Sequence, residues 1–245
     1  MSNAKETPPE ITNELLDALP IHQFNNIQPL LTLVDLEIDD ILWEMDEIRE
    51  YVYFPTTAMV CLLYDTHEGT SIEVGMTGRQ GMVGVVTFIG DARMAKRAVV
   101  QNAGQAYRMK AEDAKDYFEE IPDFREICMC YTQTLIAQIS QSAICNRLHS
   151  VEQQIARYLL VSCDNLRVTS FKMTHARIAD VLGVRRESVS LAARQLQNRG
   201  FIKYGDGNLD LLDREGLLTA ACECYEVVKE QYKRIINEYL SLHDA

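Results

Sequence analysis

Apolar residues change their spacing several times along the chain. Leu15, Leu16 and Leu19 recur at helical intervals and Pro20 stops them, which predicts a short helix over 11–19 and a second over 21–31. From Leu36 to about Arg108 the pattern becomes short β-rich runs at 51–54, 59–64, 71–74 and 98–101. Turn residues separate them at Pro55-Thr56-Thr57, His67-Glu68-Gly69 and a series of glycines including Gly75, Gly78, Gly81, Gly84, Gly90 and Gly104. Many short strands at this spacing predict a small barrel or, in our reading, a β-roll. Residues 111–120 return to helical spacing, ended by Pro122. Residues 123–148 then hold neither Gly nor Pro, and Phe124, Ile127, Tyr131, Leu135, Ile136, Ile139, Ile144 and Leu148 recur every three or four positions. They predict one helix of about 40 Å. Its stripe is broad, which suits burial by its own β-domain on one side and by a second copy of the chain on the other.

Ser150 and Gln153 have the spacing of a capping box, so a new helix is expected from there to about Cys163, with a boundary near His149. Beyond it, 174–200 read as a helix-turn-helix. Ile178, Ala179 and Leu182 share one face, Gly183 supplies the tight turn, and Val184, Val189 and Ala192 resume the apolar face. Two apolar runs around Gly205-Asp206-Gly207-Asn208 predict a hairpin, hence a winged helix. Asp213 is the expected cap of a final helix over 214–240 that covers the domain with one face wet. The predicted class is α+β with three parts: N-terminal helices and β-roll (1–122), a long dimerisation helix (123–149), and a winged-helix domain with a C-terminal helix (150–245).

Composition adds little to this, since 47% hydrophobic and 24% charged residues are ordinary for a globular chain. Charge adds more. The net charge is −12, yet residues 151–205 hold nine Lys and Arg against four Asp and Glu, so this segment is basic within an acidic protein. A phosphate backbone attracts such a segment. No apolar run approaches the ~20 residues of a spanning helix and no signal peptide is seen, so no membrane partner and a cytoplasmic location are expected. Seven cysteines without an export signal are expected to be reduced thiols.

Three segments carry a family resemblance: Gly78-Arg79-Gln80-Gly81-Met82-Val83-Gly84 in the roll, Cys145-Asn146-Arg147-Leu148-His149-Ser150-Val151-Glu152-Gln153 at the hinge, and Leu182-Gly183-Val184-Arg185-Arg186-Glu187-Ser188-Val189 in the helix-turn-helix. In this order of elements the chain resembles the superfamily of the cyclic-AMP receptor protein and the fumarate-and-nitrate-reduction regulator. The resemblance implies a homodimeric transcription regulator that reads a roughly palindromic operator and works with RNA polymerase. It also implies that an Arg-Glu pair opening the second helix, here Arg186-Glu187, contacts base edges. The chemistry agrees, because the guanidinium fork matches guanine O6 and N7 and a carboxylate accepts from the cytosine amino group. Arg185, Ser188, Ser190, Leu191 and Arg194 complete the expected surface, Leu191 standing where the family often has a second Arg. Arg199 and Lys203 are expected at phosphates.

Cyclic-nucleotide sensors of this family carry a Gly-Glu-Leu and an Arg-Ser or Arg-Thr. Here Gly84-Val85-Val86 lacks the acid for a ribose hydroxyl, and Lys96-Arg97 replaces the second motif. Gly84, Val85, Lys96 and Arg97 are the candidate effector residues, and cyclic AMP is not the expected ligand. The N-terminal Cys cluster of the oxygen-sensing branch is absent, since the first cysteine is Cys61, so an iron–sulfur cluster is not expected and the cofactor stays unassigned. Cys128/Cys130 and Cys222/Cys224 are spaced i, i+2 on predicted helices, where they point apart and do not chelate one metal. Cys145 and His149 share a face, but buried packing is the expectation for the cysteines and a surface loop for His67, so no metal ligand is assigned. A redox-, metal- or haem-switched regulator using Cys and His residues is the alternative. His22, His67, His149, His175 and His243 form no catalytic arrangement with Cys or Asp, so no enzyme is expected.

Overall fold

The computed structural model describes residues 13–44, 47–65, 71–90 and 97–243. Two short helices, α1 (Glu14–Asp17) and α2 (Ile21–Ile27), come first. Asn13 caps α1 by accepting from the N–H groups of Leu15 and Leu16, while its own amide donates to the carbonyls of Pro55 and Gly81 at 2.8 and 2.9 Å. One fully buried polar side chain thereby pins the first helix to the roll.

The roll consists of β1 (Thr32–Leu36), β2 (Ile41–Trp43), β3 (Tyr51–Pro55), β4 (Met59–Asp65), β5 (Ser71–Thr77), β6 (Arg97–Asn102) and β7 (Gly104–Lys110). They form two antiparallel sheets in the orders β1-β7-β3 and β2-β6-β4-β5. Period-two alternation explains which side chains go where. Val60, Ala98 and Val100 face Trp43, Tyr53, Val83 and Ala106 inside the roll, whereas Cys61 and Leu63 face the C-terminal domain. The four expected strands are present, and β1, β2 and β7 extend the sheets beyond them. Gly104, read as a turn, begins β7 because its backbone lies against Thr57 and Ala58. The expected turn at His67-Glu68-Gly69 lies outside the described residues.

The helix α3 (Ala111–Glu120) is followed by α4 (Pro122–Leu148), which starts at the proline itself, where a missing N–H is harmless. Phe124, Ile127, Cys128, Tyr131 and Leu135 of α4 pack on Val52, Phe54, Met82 and Met109 of the roll. Gly81 permits this approach, since a Cβ there would sit 2.3 Å from the Tyr131 ring. The Ser150 capping box then starts α5 (Val151–Leu166). The C-terminal domain continues with β8 (Ser170–Lys172), α6 (His175–Leu182), α7 (Arg186–Asn198), β9 (Ile202–Gly205) and β10 (Asn208–Leu211), the strands pairing in the order β8-β10-β9.

The final helix departs from expectation. Asp213 caps α8 (Arg214–Ala220), as its carboxylate accepts from Gly216 N–H at 2.9 Å, but Ala221 is extended and a second helix, α9, runs over Cys224–His243. The break turns Cys222 and Cys224 inward against Cys145. It also carries α9 off the C-terminal domain and onto α4, where Tyr239, Ile236 and Leu240 join the core beneath the roll. No Gly or Pro marks residues 221–223, so helical spacing alone does not reveal the bend.

Candidate nucleic-acid interface

The helix-turn-helix is set by local chemistry. Thr174 Oγ1 accepts from Arg177 N–H at 3.1 Å and starts α6. Gly183, at φ +63°, ends it, and Val184 N–H returns to Ala179 O at 3.0 Å. Arg185 is extended and supplies the carbonyl that accepts from Ser188 and Val189, so α7 begins with no side-chain cap. Val189, Ala192 and Leu196 bury the rear of α7 in the core built around Ile155 and Leu159 of α5, and Ala193 is buried as well.

The opposite face of α7 is left to solvent. Arg185, Arg186, Glu187, Leu191 and Arg194 are exposed, Leu191 at 61% despite its apolar side chain. None of the three arginines enters an ion pair among the described residues. Ser188 and Ser190 are half-buried, and Ser190 Oγ lies 3.0 Å from His175 Nδ1. His175 leans on the Tyr204 ring at 4.4 Å, and the Tyr204 hydroxyl donates to Met173 O. Burial, and then the charge of Arg186, hold the imidazole below its ordinary pKa of 6.5. Arg199 is committed elsewhere, 2.7 Å from Glu152 and over the Phe201 ring, while Lys203 is exposed at the wing.

The interface is tied to the roll by polar contacts that sequence reasoning missed, because their partners are far apart in the chain. Arg177 bridges to Asp39 and to Gln101 O, Gln101 donates to the Tyr158 hydroxyl, and Gly78 N–H donates to Asn165 Oδ1 at 3.1 Å. Glu73 is half-buried at this seam, accepting from the Cys61 thiol at 2.8 Å. Burial pushes its carboxyl up to about 7, against the opposing effects of that hydrogen bond and of Arg157.

Of the candidate effector residues, the described three, Gly84, Val85 and Arg97, are not gathered into one polar pocket. Gly84, at φ +106°, abuts Val52, and Val85 is buried in the apolar core under α4. Arg97 is taken by Asp65 at 2.8 Å and Ser71 at 3.1 Å, and Lys96 lies outside the described residues. The roll interior is filled by apolar side chains. One cleft of about 520 Å³ is bordered by Arg97, Ser71, Gln101 and Arg177, and another of about 430 Å³ lies between the roll, α4, α5 and α9, bordered by Thr134, Gln138, Tyr232 and Arg214.

Cysteines 222 and 224 correct a further expectation. They do not point apart on one helix, because Cys222 precedes the helix that Cys224 begins, and both meet Cys145 and His149 in one cluster. His67 lies outside the described residues. Among the described residues no helix is long and apolar enough to cross a membrane.

Residues 153–220 match the Crp-like helix-turn-helix domain. No curated protein sequence is significantly similar to the chain. Among solved structures, FixK2 from Bradyrhizobium japonicum is 18% identical with a TM-score of 0.66, over 78% of this chain and 98% of its own. The c-di-GMP responsive global regulator CLP from Xanthomonas campestris is 12% identical with a TM-score of 0.64, over 78% and 99%. A mutant of CooA from Carboxydothermus hydrogenoformans is 13% identical with a TM-score of 0.59, over 87% and 97%. Residues 153–220 therefore form a Crp-like helix-turn-helix domain, and the chain as a whole shares the fold of these solved structures.

Proposed function

We propose that the chain is a cytoplasmic homodimer that reads a roughly palindromic operator through α7, works with RNA polymerase, and uses its roll as a sensing half that does not bind cyclic AMP. The observation that carries this reading is the exposed face of α7. Three arginines without ion pairs among the described residues, a glutamate and an exposed leucine face solvent on a helix whose rear is held in the core. Arg186 and Glu187 suit a G·C pair in the major groove, and Leu191 suits a thymine methyl group. Arg185 and Arg194 flank them, while Lys203 suits a phosphate. Arg199, already paired with Glu152, has to exchange that partner for a phosphate.

Dimerisation is supported by the part of α4 that α9 and the roll leave uncovered. Met129, Gln133, Ile136, Ser140, Ala143 and Arg147 are exposed and alternate by four and three residues, with Ile144 and Leu148 beside them. That is the spacing of a two-helix seam. Two copies related by a two-fold axis would present two α7 helices to successive major grooves about 34 Å apart. Against cyclic AMP stand the filled roll interior and the engagement of Arg97 by Asp65 and Ser71.

Selection of bound sequences from randomised duplexes tests the proposal. A roughly palindromic consensus is expected, with an affinity that falls steeply as salt rises and does not respond to cyclic AMP. Absence of salt-dependent binding, or of any enriched sequence, would sink it.

A further inference from the structure

Four metal-ligating side chains meet where the long helix ends. Cys145 lies in the last turn of α4 and His149 follows that helix by one residue; Cys222 and Cys224 come from the bend between α8 and α9. One donor atom of each lies within 4.8 Å of every other. Cys145 Sγ is 3.5 Å from Cys222 Sγ, and Cys224 Sγ is 3.4 Å from His149 Nδ1. A tetrahedral ion with metal–sulfur bonds of ~2.3 Å has sulfur–sulfur edges of about 3.8 Å, so these separations are those of one coordination shell.

The surroundings favour ligation over simple packing of thiols. His149 Nε2 faces Glu223 Oε1 at 3.3 Å, which directs Nδ1 to the cluster and matches the carboxylate that commonly backs a metal-bound imidazole. Gln141 Nε2 donates to Cys224 Sγ at 3.1 Å, and Gln154 Nε2 donates to His149 O at 2.9 Å, which fixes the hinge backbone. The three cysteines are buried in a small cluster of their own, apart from the larger cores. A Cys145–Cys222 disulfide would account for two of the four groups and leave Cys224, His149 and their supporting residues without a role.

We infer that Cys145, His149, Cys222 and Cys224 form a closed tetrahedral site for one thiolate-binding divalent ion of the Zn²⁺ class. Three thiols release their protons to solvent as the ion gains three sulfurs and one imidazole nitrogen, with no change in oxidation state. With four protein ligands the site has no open position for substrate, so its role is to clasp the end of α4 to the start of α9. The inference stands on the cluster alone and does not depend on how the chain reads DNA.

The test uses the full-length chain purified under reducing conditions without chelator. Elemental analysis is expected to find one such ion per chain. After the metal is stripped, Co²⁺ is expected to restore it with thiolate charge-transfer absorption and the intense visible bands of a tetrahedral site, and Zn²⁺ to displace it. Cys224→Ser and His149→Ala are expected to weaken Co²⁺ binding at least about ten-fold, and Cys130→Ser to leave it unchanged. Should those variants fail to fold, alkylation of the metal-loaded wild-type chain decides: Cys145, Cys222 and Cys224 are expected to be protected until a chelator is added. The inference is overturned by a chain without stoichiometric metal and without the tetrahedral cobalt spectrum, by full metal retention in Cys224→Ser, by a Cys145–Cys222 disulfide under these conditions, or by acid-labile sulfide marking an iron–sulfur cluster.

Discussion

Arg186 is the residue on which the proposed base reading rests most directly. It opens α7, is exposed, and lies near the His175 imidazole, whose pKa burial and the Arg186 charge lower. Replacing it removes two parallel hydrogen bonds in the proposed complex. Arg186→Ala is expected to lower specific affinity by about 1–3 kcal/mol and to relax selectivity at one base pair of each half-site, while non-specific binding changes little. Gel shifts against operators varied at single positions check this, and unchanged discrimination would remove Arg186 from the base-reading set. Leu191, at the next exposed turn, has no packing role on the reader's core, which is why its 61% exposure points to a partner.

Among the elements, α5 carries the connection between the long helix and the reader. Its start is fixed twice over: Ser150 Oγ accepts from Gln153 N–H at 3.3 Å, and Gln153 Oε1 accepts from Ser150 N–H at 3.0 Å. Ser150→Ala is expected to cost about 1 kcal/mol of stability, read as a lower urea midpoint with an unchanged slope. The face of α5 toward the roll holds a different device, the seam containing Glu73, Cys61, Gln101 and Tyr158. Glu73 has an ordinary pKa of 4.5 and a folded one of about 7, so between these values the folded chain keeps a proton that the unfolded chain has lost. Its contribution to stability is therefore lost as pH rises from 4.5 to about 7 and is level above that. Glu73→Gln, which stays neutral, is expected to flatten this part of the stability profile. Denaturation midpoints of both proteins across that range measure it, and parallel profiles would show that Glu73 ionises freely at the seam.

For the whole molecule, α9 and the roll share α4 and leave one stripe of it open. Ile136 lies in the middle of that stripe, 60% exposed. Ile136→Glu is expected to leave the fold intact but to shift the protein to monomer, with loss of tight operator binding, because a charge at the centre of a two-helix seam is buried without a partner. Sedimentation analysis with a circular dichroism control checks both halves of that statement. A variant that remains dimeric would place the subunit contact elsewhere.

Hydrophobic periodicity and short-range caps made α3, α4, the helix-turn-helix and the hairpin legible in the chain itself. Each of these rests on contacts between residues a few positions apart, such as Thr174 with Arg177 or Ser150 with Gln153. The basic segment within an acidic chain followed from local charge, and Arg186-Glu187 at the head of α7 was singled out by the family resemblance. What only the tertiary structure decided depends on residues far apart. The bend at 221–223 carries no local signal, since it is stabilised by buried packing against α4 rather than by a Gly or Pro. From that bend follow the placement of α9 and the meeting of Cys222 and Cys224 with Cys145 and His149, across more than seventy positions of sequence. The same holds for Arg97, whose engagement by Asp65 and Ser71 is set by strand register, a property of paired strands that no single strand contains.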